Sequence, residues 1–205
     1  MLFNYREVLE IYGTDYKLKR AISSKRIYRI ESGIYSDGKD NFTEYELVLK
    51  KYPAAFLVKN SALHHIGFIQ AEPDVIHLGT ARNALRIHDK RIQQHFYSGL
   101  VNAGNRSSLI HTYESANNNE IRLLNLSLLF RDLIRDRAHY ERETLFAILQ
   151  KFRDCQYFAD SDFDECDFLI RLLSDGELFD LVEAVCNEAQ VRKWLLDFDK
   201  NPDLE

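Results

Sequence analysis

The chain has 205 residues, 45% of them hydrophobic and 29% charged, and a formal net charge of −5. Such a composition supports a buried core in one domain or two small ones and excludes a low-complexity polymer. The longest apolar runs, such as 123–130, are too short to cross a bilayer, and no charged-apolar-small leader pattern opens the sequence, so we expect a cytoplasmic protein without a membrane partner.

The charge is unevenly spread. Residues 151–205 hold six Lys or Arg against fifteen Asp or Glu, leaving the rest of the chain net positive. Residues 14–29 alone carry Lys17, Lys19, Arg20, Lys25, Arg26 and Arg29, opposed only by Asp15. A positive field concentrated in one short segment can attract a polyanion that the acidic end repels.

Taken in chain order, residues 2–12 space Leu2, Tyr5, Val8, Leu9 and Tyr12 as one helix, with Gly13 as its stop. Thr14 then caps a second helix. At 100° per residue, Leu18, Ala21 and Ile22 share one side of it, and Tyr16, Lys17, Lys19, Arg20, Ser23 and Ser24 make a polar arc opposite. β-Branched and aromatic residues on both sides of Ser32-Gly33 predict a short hairpin.

At residues 42–47 a new helix is signalled by the capping-box pair Thr43 and Glu46 and by Phe42 and Leu47 at staple positions. Pro53 closes it. Residues 54–58 read as a buried strand, and Asn60 or Ser61 caps a short helix through residue 67. Residues 74–80, 84–88 and 108–115 read as strands, 115–120 as an Asn-rich turn, and 121–124 as a last strand. From Asn125 onward the pattern is helical, including 126–137, 142–152, 163–174 and 177–198.

The fold class expected is α+β: a small N-terminal winged helix-turn-helix over residues 1–40, then a second domain over 41–205, mixed α/β to about residue 124 and helical over 125–205. In such a module the second helix enters the DNA major groove, where Lys and Arg pair with guanine, while the wing touches the backbone. Lys17, Lys19, Arg20 and Ser23 are the candidate groove contacts and Arg26, Arg29 and Tyr35 the candidate backbone contacts, with Thr14, Tyr16 and Lys25 as further DNA-binding candidates. Neutralising four to six phosphates would give a slope of log affinity against log salt of roughly −4 to −5. A solvated helix face packed against a hairpin accounts for the same spacing.

Arg82, Arg86, Lys90 and Arg91 form a second basic cluster, which either extends the nucleic-acid footprint or is spent on surface pairing, for instance with Asp89. No catalytic or metal constellation stands beside these clusters, and no cofactor is expected. His64 and His65 are adjacent, so on a helix they diverge by about 100°. His77, His88, His95 and His111 have no carboxylate at motif spacing. Residues 160–165 begin like a calcium loop, but its sixth position is Glu165 and its twelfth Arg171. Pro73-Asp74 before a strand suggests a nuclease opening that lacks its second acid and its lysine. The three cysteines, Cys155, Cys166 and Cys186, lack CxxC spacing and are expected to be buried thiols.

In order along the chain, residues 15–37, 47–96 and 119–137 resemble the AbiEi family of bacterial antitoxins and transcriptional regulators. The similarity runs from about Asn4 to about Leu173. Its most specific parts are Arg29-Ile30, Gly33-Ile34-Tyr35-Ser36-Asp37, Tyr52-Pro53, Ser61-Ala62-Leu63, Pro73-Asp74, Thr80-Ala81-Arg82-Asn83-Ala84 and Arg86-Ile87.

The resemblance implies a repressor that binds inverted repeats in its own operator, as a dimer or cooperatively. It also implies an antitoxin of a type IV toxin-antitoxin system, opposing a nucleotidyltransferase-like toxin without a stable complex. Two departures stand out: only thirteen residues precede Thr14, where relatives have a longer lead, and Ser127-Leu128 occupies the place where they tend to have a Glu-Arg pair. The rival reading is a protein-binding inhibitor whose acidic C-terminal lobe mimics nucleic acid.

Overall fold

The structure, a computed structural model, describes residues 1–97, 110–136 and 139–154. Among these residues the chain is mixed α+β, with two sheets and six helices. It separates into two units. The first takes in Met1–Ala62 and Pro73–Asn125, the second 63–72 and the residues from Leu126 onward.

The first unit opens with β1 (Leu2–Asn4), α1 (Tyr5–Tyr12), α2 (Asp15–Ser23), β2 (Tyr28–Glu31) and β3 (Ile34–Ser36). The three strands form an antiparallel sheet in the order β1-β3-β2. The start differs from the single helix expected over 2–12. Leu2 is buried and its segment pairs with β3, and Asn4 then caps α1, its side chain accepting the Glu7 amide at 3.0 Å while Glu7 Oε2 accepts the Asn4 amide at 2.7 Å. Leu2 and Tyr5 satisfy a helical period, but an Asx cap with Glu three residues on places the boundary between them.

Gly13 ends α1, its amide donating to Leu9 O at 2.7 Å, and Thr14 caps α2 by accepting the Lys17 amide at 3.3 Å. The hairpin turn places Gly33 at φ +77°, a conformation that a Cβ disfavours. Val8, Leu18, Ala21, Ile27 and Tyr35 form one cluster behind α2, and Leu2, Ile34 and Leu47 another with Ile30 and Phe42. Each such large side chain withdrawn from water contributes about 1.5–3 kcal/mol.

Next come α3 (Glu44–Lys51), β4 (Phe56–Leu57), α4 (Lys59–His65), β5 (Ile76–Ala81), β6 (Ile92–Tyr97), β7 (Ile110–Glu114) and β8 (Glu120–Leu124). The five strands run in the order β6-β5-β4-β8-β7. β5 and β6 are parallel, as are β4 and β8, while β4–β5 and β7–β8 are antiparallel. The capping box at Thr43 and Glu46 forms as its spacing predicts, with the Thr43 amide donating to Glu46 Oε2 at 2.6 Å. Glu46 is nonetheless buried, and it also accepts from the Ser115 hydroxyl and the Asn117 amide, which ties α3 to the turn between β7 and β8.

The strand expected over 84–88 is replaced by a loop, and the true strand, β6, lies at 92–97. Ala84 donates to Ala81 O and Ile92 to Asp89 O, so both ends of the segment are turned rather than laddered. α4 begins at Lys59, earlier than the expected cap.

The second unit contains α5 (Leu126–Arg135) and α6 (Arg142–Asp154). They bury Leu129, Phe130, Leu133, Leu145, Ile148 and Leu149, the apolar face that their spacing predicts. The helices expected over 163–174 and 177–198, the three cysteines and the acidic run 160–165 lie outside the described residues. No helix among the described residues is long and apolar enough to cross a membrane.

Candidate nucleic-acid interface

α2 is amphipathic because its apolar residues fall three and four apart. Leu18 and Ala21 are buried against Val8, Ile27 and Tyr35, and this burial fixes the helix rotation so that Tyr16, Lys17, Lys19, Arg20 and Ser23 are exposed. Tyr16 is 73% exposed. Asp15, the single acid of the segment, accepts a 2.5 Å hydrogen bond from the Tyr5 hydroxyl of α1. That bond raises the Tyr5 pKa above its ordinary value.

The helix ends in an unusual way. Lys25 has φ +55°, its amide donates to Ile22 O at 3.0 Å, and the Arg26 amide donates to Ala21 O at 3.0 Å. This paired-amide ending normally places glycine at the left-handed position. Here a lysine occupies it and is exposed. Arg26 and Arg29 are exposed as well, with Arg26 Nε donating to Ser24 Oγ at 3.2 Å. Tyr35 requires a correction: it is 7% exposed, on the central strand of its sheet and inside the cluster behind α2, so its ring is core and does not reach a ligand. Strand alternation reverses sides at each residue, and the bulge between Arg29 and Glu31 shifts the pairing.

Ion pairing divides the cations of this unit sharply. Lys50 pairs with Glu7 at 2.7 Å, and Lys51 with Glu31 at 3.0 Å and Asp89 at 3.1 Å. Arg91 meets Asp89 at 2.8 Å, Glu31 at 2.9 Å and Glu44 at 3.5 Å. Among the described residues, none of Lys17, Lys19, Arg20, Lys25, Arg26 and Arg29 forms an ion pair. Among the described residues, the cations that join elements are engaged in ion pairs, and those of α2 and the segment that follows it are not.

The second basic cluster divides in the same way. For Arg91 the pairing alternative holds, and the residue leaves the patch: its guanidinium is committed to three carboxylates, Asp89 among them, and serves as a structural joint. Its hydrogen bond to Asp89 comes first among the causes that raise its pKa, and the same bond holds the Asp89 carboxyl well below the usual carboxylate range. Burial pushes Glu31 up, but hydrogen bonds from Lys51 and Arg91 outweigh it and leave the carboxyl low. Arg82, Arg86 and Lys90 are exposed and have no ion pair among the described residues.

Sequence reasoning missed Gln94, whose side chain binds Thr80 Oγ1 at 2.8 Å, Leu85 O at 3.1 Å and the Ile87 amide at 2.8 Å. It also missed His77 Nδ1 against His95 Nε2 at 3.0 Å, on neighbouring parallel strands. The signal for both was the parallel register of β5 and β6, which no local pattern carries. No group of three or more His, Cys, Asp or Glu gathers among the described residues. A separate groove of about 770 Å³ runs past Leu2, Asn4, Glu46, Lys50, Tyr113 and Arg122, and none of the sequence-predicted site residues lines it.

Chemically, the α2 face offers ammonium, guanidinium, hydroxyl and phenol groups with almost no acceptor charge, a set suited to phosphate oxygens and base edges. No protein-family model matches the sequence, and no curated protein matches it. Among solved structures the chain is similar to the RV2827C protein of Mycobacterium tuberculosis, with a TM-score of 0.53 and 15% identity over 96% of this chain and 76% of that one. A likeness at that identity shows the fold alone.

Proposed function

We propose that this chain is a double-stranded DNA-binding transcriptional repressor whose residues 1–40 act as a winged helix, with α2 as the reading helix and the β2–β3 hairpin as the wing. The observation that carries the reading is the exposed cationic arc of Lys17, Lys19 and Arg20, continued by Lys25, Arg26 and Arg29, which forms no ion pair among the described residues. The order strand-helix-helix-strand-strand, with the first strand beside the third, supports it. α2 has nine residues, about 14 Å of helix, which suits a major groove about 12 Å wide.

On this reading Lys19, Arg20 and Ser23 face base edges, Lys17, Arg26 and Arg29 take phosphates, and Tyr16 lies along the backbone. The AbiEi resemblance extends the proposal to autoregulation through inverted repeats and to antitoxin action against a nucleotidyltransferase-like toxin. A gel shift with the DNA immediately upstream of the gene tests the core of it. Binding that survives competitor DNA and disappears in the Lys19→Ala/Arg20→Ala double variant supports the reading. Absence of any duplex binding at low salt refutes it. Co-expression with a toxin encoded next to the gene tests the antitoxin extension separately.

A further inference from the structure

We propose that residues 82–90 form a second DNA-contacting element, in which Arg82, Arg86 and Lys90 meet phosphates and Leu85 lies against the sugar edge of a groove. The proposal rests on the DNA-binding reading above and lengthens its footprint.

The first observation is that the loop is held in place. Gln94 of β6 clamps it from both sides, accepting from the Ile87 amide and donating to the Leu85 carbonyl, and the same amide nitrogen donates to Thr80. Ala84 is turned back onto Ala81, and Asp89 receives the Arg91 amide at 3.1 Å. A surface segment held by several hydrogen bonds to the neighbouring strand is already ordered before a partner arrives, so less entropy is lost on binding.

The second observation is charge. Asp89 is the only acid between Arg82 and Lys90, and its carboxylate is taken by Arg91 and Lys51. Arg82, Arg86 and Lys90 are therefore unopposed within the loop. The third is Leu85, which is 91% exposed on this held loop, between two arginines. A partner that satisfies both must present dense negative charge next to apolar surface. Duplex DNA does so, with a phosphate every ~1.7 Å of axis and sugar faces lining the minor groove, where apolar side chains commonly lodge.

The fourth observation joins the loop to the proposed wing. Arg91 and Lys51, at the foot of the loop, both bind Glu31 of β2, in the same strand as Arg29. The cluster of Glu31, Lys51, Asp89 and Arg91 thus couples the two cation-bearing segments within one unit.

The test is a salt titration of the full chain on a fluorescently labelled duplex of the upstream DNA, with thermal unfolding to show that each variant is folded. Arg82→Ala/Arg86→Ala is expected to lower the slope of log affinity against log salt by about 1.8 and to weaken binding about thirtyfold at 0.15 M salt. Leu85→Ser is expected to weaken binding with the slope unchanged. Gln94→Ala keeps every charge and is expected to weaken binding by releasing the loop. If these variants bind like the parent while Lys19→Ala/Arg20→Ala loses binding, the second contact is overturned and the DNA reading stands. If the parent chain binds no duplex, both are overturned. If the loop variants bind DNA normally but lose a stable complex with an acidic protein, the loop is a protein-docking element and the proposal is wrong.

Discussion

Lys25→Gly is expected to make the protein more stable and bind DNA less well. Lys25 sits at φ +55°, where its Cβ crowds the following carbonyl, a conformation that costs an L-residue about 1–2 kcal/mol and glycine almost nothing. Glycine also frees the unfolded chain, which returns about 0.4–1 kcal/mol of that gain. The net is about 0.5–1 kcal/mol of stabilisation, a rise in melting temperature of about 2 °C for a chain of this size. The helix ending itself survives, because both of its hydrogen bonds come from backbone amides. The same substitution removes one exposed cation, so the salt slope should fall by about 0.9 and affinity by about fivefold at 0.15 M salt. Thermal unfolding by circular dichroism and fluorescence anisotropy across a salt series measure the two effects. Lys25→Ala separates them, since it loses the charge and keeps the strained backbone. A melting temperature that falls in Lys25→Gly refutes the conformational argument, and an unchanged salt slope refutes the contact.

Gly79→Ala in β5 should destabilise the protein by about 1–3 kcal/mol, because a Cβ there would lie 2.4 Å from Phe56 Cε2 and 2.7 Å from Val58 Cγ1, both of them in fully buried side chains; chemical denaturation measures the loss. Glu46→Ala should cost about 2–3 kcal/mol, since it removes the capping box and the acceptor shared by Ser115 and Asn117 in one step, and the same denaturation series should show it. Glu31 and Asp89 are held below their ordinary values in the folded chain, so the unfolded chain binds more protons. Their stabilisation is present above about pH 4 and is lost as pH falls through the folded values. Asp89→Asn should flatten that acid limb, and unchanged steepness between about pH 4 and pH 2 would count against the ion cluster.

What the sequence disclosed was what short-range chemistry decides. Thr14, Thr43 with Glu46, and Ser32-Gly33 act within a few residues of themselves, and each forms the cap or turn that its spacing predicts. The exposed side of α2 was legible for the same reason, because Leu18 and Ala21 set the helix rotation. Residues 84–88 misled because Leu85 and Ile87 alternate like a strand, whereas their hydrogen bonds go to the side chain of Gln94 on β6. β6 itself was hidden by its polar residues, whose parallel register with β5 is a long-range fact. Tyr35 was misassigned because the side of the sheet its ring takes depends on long-range packing, whereas the pairing of Arg91 with Asp89 was legible from their spacing and only its further partners, Glu31 and Glu44, are distant in sequence.

The backbone amide of Leu2 donates to Asn119 Oδ1 at 2.6 Å, and Leu2 and Ile34 share their apolar cluster with Leu47 of α3. The opening segment is thus stitched to residues more than a hundred positions away. A chimera that transplants residues 1–40 alone would carry torn apolar surface and a severed amide with it. Recombination that respects the physics would exchange the whole of the first unit, keeping the turn that bears Asn119, and would leave α2 standing on the floor it was folded against.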